Sequence, residues 1–560
     1  MAEWIFGTTD GSTSDLGSLV SAPVLAFDVE SNGKDLGTSI PLGWSLACAQ
    51  TSGYYTSSED QFSRSLLAMN KLFVAHNAPF DRSMAKKAGV IVDNLADTMV
   101  AAHLLEKPSL ALRSLSANTV RSFTELEHGF AGMSVKDIGD YSIPHAMAAF
   151  RLWSEYEKRL RELGLLNVFW KIEMPLVPVL SDMELNGIMV DKQVLGGLGS
   201  TFEDMLSVLR EALDHWSGTN GVNYNSADQL ANVLFDRLEL PKHKWIRTSK
   251  GRSTVLAKYL ETIKHLHPFV PVYLQYKQLM TLRNSYVRSL SKIIHPDSRV
   301  YCRFNQTGTR TGRLSSSEPN LQKVPVRTEL GRRIRETFVA PEGCRLVAPD
   351  YEQLELKMLA ICSKNKHLLD AFRNNRDIHL ETALRAFMDA KKRPEAKTLN
   401  FAVVYGGSDI KHRQLFFGAY PGVEEWERSV KNIAREAQYI RTLGGRIRTI
   451  QAYTRENHMQ VMGDPLEAHG DRETISTLIQ GSSAEAVKVG MRRLWEKIRD
   501  SSVKMLLQVH DELLLEVPEG LVMDVANVVK ETMTIRDYEI PLTVSIKVGK
   551  NWGQMEKLEV

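Results

Sequence analysis

At 560 residues the chain is too long for a single hydrophobic core, and its length implies about three or four domains. Its apolar and charged shares, 43% and 24%, are those of an ordinary globular protein, and it holds no run of about 20 apolar residues suited to a membrane. A net charge of only +3 excludes a strongly basic polyelectrolyte, so contact with a polyanion must come from local clusters. Lys242, Lys244, Arg247, Lys250 and Arg252 form one; Arg327, Arg332, Arg333 and Arg335 a second; Arg441, Arg446 and Arg448 a third. Such clusters neutralise backbone phosphates. A solvated, salt-bridged face explains any one of them as well. Cys48, Cys302, Cys344 and Cys362 show no paired spacing, which fits a reducing cytoplasm and argues against a zinc site. No basic region followed by an apolar stretch opens the chain, so no secretory signal is expected.

In chain order, Pro23–Glu30 reads as a buried strand that turns polar at its end, and Lys71–Asn77 as a second strand. Helical spacing follows at Leu95, Met99, Ala102 and Leu105, and again across Ala146–Leu160. This alternation predicts an α/β N-terminal domain. Asp28 and Glu30 stand two apart on the first strand, so they face the same way. Asn77 and Asp81 follow the second, and Tyr141-Ser142-Ile143-Pro144-His145 is read as opening a helix. Clustered acids at a sheet edge are suited to holding divalent metal for phosphodiester hydrolysis, although strand-end polar residues fit the same positions. Residues 165–215 and 255–293 read as an extended helical arm, and from about 295 the pattern is mixed α+β.

Asp350 follows the apolar run Arg345–Pro349 and precedes helical spacing at Leu354, Leu356, Met358, Leu359 and Ile361. His510-Asp511-Glu512 sits between two apolar runs, Met505–Val509 and Leu513–Val517, which predicts a β-hairpin with acids at its tip. Carboxylates at the ends of buried strands are costly unless a positive charge neutralises them. Two such aspartates brought together would hold a pair of divalent cations for phosphoryl transfer; alone, one surface aspartate and one acidic turn fit equally. Arg393, Lys397, Phe401 and Tyr405 recur every four residues on one helix face, with Pro394 in the first turn and Gly406 at the end. Two cations followed by two aromatics match a triphosphate at one end and a base and sugar at the other. An amphipathic helix with a basic half is the alternative. Thr311-Gly312-Arg313-Leu314-Ser315-Ser316, leading to Pro319-Asn320-Leu321-Gln322, is rich in turn formers and in donors for a sugar-phosphate backbone.

These motifs occur in order, with Asp350-Tyr351-Glu352-Gln353-Leu354-Glu355-Leu356 and Gln508-Val509-His510-Asp511-Glu512 at the two acidic sites. Together, from about residue 20 to Trp552, the chain resembles the DNA polymerase I family, family A. The resemblance implies a multidomain α/β and α+β protein: a ribonuclease H-like 3′–5′ exonuclease-type domain at 1–165, then a right-hand polymerase. In the polymerase, 166–300 would be linker helices and thumb, 301–365 the first part of the palm, 366–450 the fingers and 451–560 the rest of the palm. It further implies a compact, bacteriophage-like form with no 5′-nuclease domain. The implied activity is template-directed addition of dNTPs to a primer 3′-hydroxyl by a cytoplasmic monomer. Its partners would be primer-template DNA, dNTPs and other replisome proteins, with no membrane.

By the same resemblance, Asp350 and Asp511 hold two Mg2+ ions, with Glu512 beside them. Glu355 blocks a ribose 2′-hydroxyl, Arg393 and Lys397 hold the triphosphate, Phe401 packs on sugar and base, and Tyr405 closes the pocket. Gln353 and His379 join the dNTP site. Arg313, Arg472, Gln480 and His510 contact the primer-template. Asp28, Glu30, Asn77, Asp81 and Tyr141 match the exonuclease pattern, with Asp28, Glu30 and Asp81 as ligands of Mg2+ or Mn2+.

Some positions depart from the family pattern: Glu352 for a small polar residue, Lys357 for arginine, Pro349 before the metal aspartate, and Ser476 for asparagine. His145 stands where a fourth exonuclease aspartate belongs. A neutral imidazole is a poorer ligand than a carboxylate for Mg2+ and brings no charge. Proofreading is therefore either weakened or shifted in metal preference. Asp137 or Asp140 moving in, or His145 acting as a base, would keep it working. Three other readings compete. A single-subunit RNA polymerase shares the palm aspartates, but Glu355 opposes it. Asp350, Asp511, Arg393 and Lys397 oppose a non-catalytic primer-template-binding factor. His145 opposes a nuclease whose C-terminal part only grips DNA.

Overall fold

The computed structural model describes residues 5–8, 16–33, 35–49, 52–57, 61–117, 130, 132–242, 255–326, 328–405, 410–454 and 465–560. Lys244, Arg247, Lys250 and Arg252 of the first basic cluster, Arg327 of the second, and Gly406 lie outside the described residues.

The N-terminal unit is a six-stranded mixed sheet in the order β1-β4-β3-β2-β5-β6. Its strands are β1 (Ile5–Thr8), β2 (Val24–Ser31), β3 (Pro41–Ala49), β4 (Ser52–Ser57), β5 (Leu72–Ala75) and β6 (Leu95–Asp97). β2 runs antiparallel to β3 and parallel to β5. Leu25, Ala26 and Phe27 are buried in succession because both faces of the sheet are covered. Helix α1 (Ala78–Lys87) follows β5, and the long helix α2 (Val135–Glu162) packs on β2, β3 and β4.

One reading is corrected in α2. The Tyr141–His145 segment does not open the helix but lies within it. The start is set upstream by a capping box: Ser134 accepts from the Asp137 N–H at 3.2 Å and Asp137 reaches back to the Ser134 N–H at 3.2 Å. Pro144 is therefore an interior proline, not a first-turn one.

The C-terminal unit is built on a five-stranded antiparallel sheet in the order β8-β9-β7-β10-β11. Here β7 is Cys344–Tyr351, β8 Lys504–Val509, β9 Glu512–Pro518, β10 Val544–Asn551 and β11 Gln554–Leu558. Two helices of the middle segment, α3 (Lys192–Ser217) and α4 (Phe269–Leu282), pack on each other. Of the helices that follow, α5 (Leu354–Ser363), α6 (Ile378–Phe387), α7 (Arg393–Val404), α8 (Pro465–Ile498) and α9 (Val522–Met533), α9 packs on β7, β9 and β10, α8 on α9 and α5, and α7 on α6 and α5.

Among the described residues two large hydrophobic cores result, beside a small cluster of Ala434, Ile440, Ile450, Tyr453 and Leu478. One runs from Leu19 to Val177, so Phe169, Met174 and Val177, beyond residue 165, still pack with the N-terminal sheet. The other begins at Leu176 and ends at Trp552. Polar ties join the two units: Arg82 and Lys86 of α1 meet Asp182 at 2.8 and 2.7 Å, and the Trp495 indole N–H donates to Asp182 at 3.0 Å. All four cysteines are free, and no single helix among the described residues is long and apolar enough to cross a membrane.

Candidate active site

Near the end of β7, Asp350 lies opposite Glu512 in β9 and Ser545 in β10. His510 adopts φ +58° at the β8–β9 turn, and the Asp511 carbonyl accepts from the Tyr351 N–H at 3.1 Å. The turn is thus tied to the strand that carries Asp350. Burial, then Glu512, raises the Asp350 carboxyl to about 6, although Lys547 works against the shift. Burial, then Glu355, raises Asp511 to about 7, and Arg313 offsets this only in part. Carboxylates so costly to ionise favour a bound cation.

Glu512 is better supplied. The Trp552 indole N–H donates to it at 3.1 Å, and Arg335, whose guanidinium lies 3.8 Å over the Trp552 ring, approaches within 3.9 Å. Lys547 Nζ lies 3.8 Å from both Asp350 Oδ2 and Glu512 Oε2. Lys547 and Trp552 carry no motif of their own; only the pairing of β10 with β7 brings Lys547 to the site. The all-oxygen donor set of Asp350 and Asp511, short of positive charge, fits a hard divalent cation.

Around these acids α7, the end of β7 and the Thr311–Ser316 loop converge. Glu355, buried in the first turn of α5, pairs with Arg313. Tyr405, just past α7, hydrogen-bonds Glu355, and burial and that carboxylate push its phenol well up. Gln353 caps α5 with φ +52° and is exposed. Along α7 the Phe401 and Tyr405 rings stack at 6.1 Å, and the His379 ring lies 5.9 Å from Phe401, held by Asn400 Nδ2 at 2.9 Å from its Nδ1. Arg393 and Lys397 are exposed at the other end of the stripe, with Arg393 Nε 2.7 Å from Asp377. Ala396, Leu399, Asn400 and Val403 bury the opposite face.

On α8, Gln480 donates to Ser476 at 2.8 Å, and Arg472 is half-buried. The His510 imidazole is held below its usual range by burial and then by Arg313. Gln508, behind the turn, accepts from Gln322 Nε2 at 3.0 Å through both its carbonyl and its side-chain oxygen. Arg313, His510 and Asp511 line one small cavity, with Lys488 in its wall.

In the N-terminal unit, Asp28 and Glu30 of β2 and His145 of α2 bring ligand atoms within 4.8 Å of one another. His145 Nδ1 lies 3.7 Å from Asp28 Oδ2 and 3.8 Å from Glu30 Oε1. Burial alone would lower the imidazole, but the two carboxylates outweigh it and raise it to about 9. Burial raises Glu30 to about 7. Asp81 is buried and pushed up by burial and then by Asp28, and its Oδ1 accepts from the Val29 N–H at 3.0 Å. It braces β2 and stands outside the three-residue group. Tyr141 meets the His145 ring edge-on at 4.6 Å.

Asn77, at φ +77°, caps α1 and donates its N–H to Asp97 at 3.1 Å. Asp97 carries no visible signal in the sequence; it accepts also from the Ala78 and Met99 N–H groups at 2.8 Å each. Asp137 is committed to the helix cap and Asp140 is exposed, so neither substitutes for His145 here. Two carboxylates and an imidazole fit Mn2+ better than Mg2+.

Residues 192–554 match the family model for DNA polymerase family A, and residues 7–135 match that for a 3′-5′ exonuclease. The chain therefore belongs to DNA polymerase family A. Tyr141 and His145 lie beyond the exonuclease match. DNA polymerase I of Chloroflexus aurantiacus is 34% identical over 594 residues, covering 96% of this chain and 62% of that protein. The thermostable DNA polymerase I of Thermus thermophilus is 37% identical over 482 residues, covering 81% of this chain and 55% of that protein. The chain thus spans between half and two thirds of the length of these curated relatives. A solved structure, the POL domain of Pol1 from M. smegmatis in complex with DNA primer-template and dNTP, aligns with a TM-score of 0.86 at 29% identity, covering 96% of this chain and 97% of that one.

Proposed function

We propose that the chain is a template-directed DNA polymerase that extends a primer 3′-hydroxyl with dNTPs. The observation that carries this is the convergence of two charge-starved carboxylates, Asp350 and Asp511, with the Arg313–Glu355–Tyr405 contact at the base of α7. Bound by those two aspartates, a pair of divalent cations such as Mg2+ would supply activation of the attacking oxygen and stabilisation of the leaving one.

The chain's own residues would do the rest. Arg393 and Lys397, exposed on α7, would bind the triphosphate with charge-assisted hydrogen bonds. Phe401 and Tyr405, with Gln353 and His379, would frame base and sugar. Glu355, buried and fixed by Arg313, would fill the space a 2′-hydroxyl needs. Arg313, Arg472, Gln480 and a neutral His510 would hold the primer-template, and movement of α7 would exclude water and test base-pair shape. In domain terms, 166–300 would be linker and thumb, 301–365 and 451–560 palm, and 366–450 fingers, acting as a cytoplasmic monomer among other replisome proteins. The relatives named above are bacterial.

For residues 1–165 we propose a 3′–5′ exonuclease slowed by His145. At neutral pH its imidazolium fills the place of a positive charge between Asp28 and Glu30, and displacing it costs binding energy. A primer-extension assay with dNTPs, with rNTPs, or with neither separates these activities. Extension with dNTPs alone supports the proposal, while extension with rNTPs alone, or degradation alone, refutes it.

A further inference from the structure

Glu173 ends a short helical segment, Phe169–Glu173, at the seam between the two cores, and it is completely buried. Its Oε1 accepts from Lys488 Nζ at 2.7 Å and from Arg446 Nη2 at 2.5 Å. Its Oε2 accepts from Lys488 at 2.9 Å and from Gln306 at 2.9 Å, and Gln306 also reaches the Glu173 carbonyl at 3.0 Å. One carboxylate thus gathers α8, the loop before Arg313, and the ribbon that carries Arg446.

The contacts continue in both directions. Arg446 Nη1 lies 3.3 Å from His103 Nδ1 in the N-terminal unit, and His103 hydrogen-bonds the Thr309 backbone. Gly312, at φ +80°, presses on the same guanidinium: a Cβ there would sit 2.6 Å from Arg446 Nε. Thr309 Oγ1 donates to the Arg313 carbonyl at 2.7 Å. On the other side, Lys488 shares the wall of the small cavity lined by Arg313, His510 and Asp511. Glu485, one turn before Lys488 on α8, accepts from Thr442 at 2.5 Å and from the Gly444 N–H at 2.8 Å, which fixes the ribbon to the same helix.

A buried carboxylate with two buried cations adds little net stability, because desolvation takes back most of the attraction. What it does fix is geometry. We infer that Glu173 and Arg446 are positioning residues: they hold residues 309–313 against α8, and so set Arg313 relative to Glu355 and Asp511. The inference rests on the polymerase reading of Arg313 and Asp511 given above. It goes beyond that reading by making the seam with the N-terminal unit part of the extension machinery.

Arg446→Lys is the first test. It keeps a positive charge against Glu173 but removes the guanidinium from Gly312 and His103. In the full chain, single-nucleotide extension is measured alongside thermal melting and circular dichroism. The expected result is a melting temperature within about 2 °C of wild type, a maximal extension rate lower by at least ~10-fold, and a KM for dNTP changed by less than about twofold. Glu173→Gln, where it folds, should lose rate in the same way, and where it does not fold Arg446→Lys decides. A wild-type rate in Arg446→Lys overturns the inference. So does a rate loss that comes with a lost folded signal, because destabilisation then explains it. Asp511→Ala is run in parallel. If that variant still extends, the reading of the active site itself has failed, whatever the Arg446 result.

Discussion

Glu355 is buried although it carries a charge, and Arg313 is the partner that makes this tolerable. A carboxylate fixed in this way is a rigid wall, and Tyr405 leans on it from the end of α7. Truncating it opens space where the proposed function places the sugar. Glu355→Ala should raise incorporation of ribonucleotides relative to deoxyribonucleotides by about 10- to 100-fold, the discrimination such a pocket supplies. The ratio of the two kcat/KM values measures this, and an unchanged ratio removes Glu355 from sugar selection. His145 poses the converse problem: it places a positive charge between Asp28 and Glu30, where an exonuclease needs a metal. His145→Asp should speed digestion of an end-labelled single strand in Mg2+ by about tenfold, equivalent to ~1.4 kcal/mol. Wild type should gain more than this variant does when Mn2+ replaces Mg2+. Strong wild-type digestion in Mg2+ that His145→Asp lowers would mean that histidine is a working member of the site.

Among the elements, α7 exposes Arg393 and Lys397 on one face and buries Ala396, Leu399, Asn400 and Val403 on the other. Lys397 is exposed and points away from the core, so Lys397→Ala should leave folding intact and raise KM for dNTP by about tenfold or more, as expected for a lost hydrogen bond to a charged group. Binding of primer-template should be unchanged; if that weakens instead, Lys397 serves the DNA and not the nucleotide. This helix and the β8–β9 hairpin are legible in the sequence because their signals are local: a four-residue period, and two apolar runs flanking a polar tip. The start of α2 is not legible in the same way, because Pro144 mimics a first-turn proline while the real start signal, Ser134 with Asp137, lies further back. Lys547 is invisible for another reason. It reaches Asp350 only because β7 is inserted between β9 and β10, strands that follow it by well over a hundred residues. Asp97 is likewise a capping residue whose role depends on β5 and β6 lying side by side.

At the scale of the whole molecule, the two units meet around Glu173 and Asp182. Burial alone would raise the Glu173 carboxyl, but Lys488 and Arg446 outweigh it and hold it at about 2, against an ordinary 4.5. Lys488 is also lowered, since burial and Arg446 together exceed the pull of one shared carboxylate. The direction for Glu173 governs the acid limb, because it faces two cations. A depressed carboxyl contributes its full stability above about pH 4.5 and loses it as pH falls toward 2. Replacing the carboxylate alone leaves Lys488 and Arg446 buried without their counter-charge, so Glu173→Gln should be less stable than wild type by ~3 kcal/mol near neutrality, even though the intact cluster adds little net stability. The gap in melting temperature should close as pH falls through that window; a gap independent of pH would show that the carboxylate's charge does not hold the seam. The proposed function rests on a more local feature, the pair Asp350 and Asp511, which would carry nucleotide addition. The most direct test is extension of a labelled primer on a template by wild type, Asp350→Ala and Asp511→Ala, with primer-template binding measured on the same samples. The predicted result is dNTP-dependent extension by wild type, no extension by either variant, and binding within about twofold of wild type in both. Extension by either variant at a rate near wild type would contradict it.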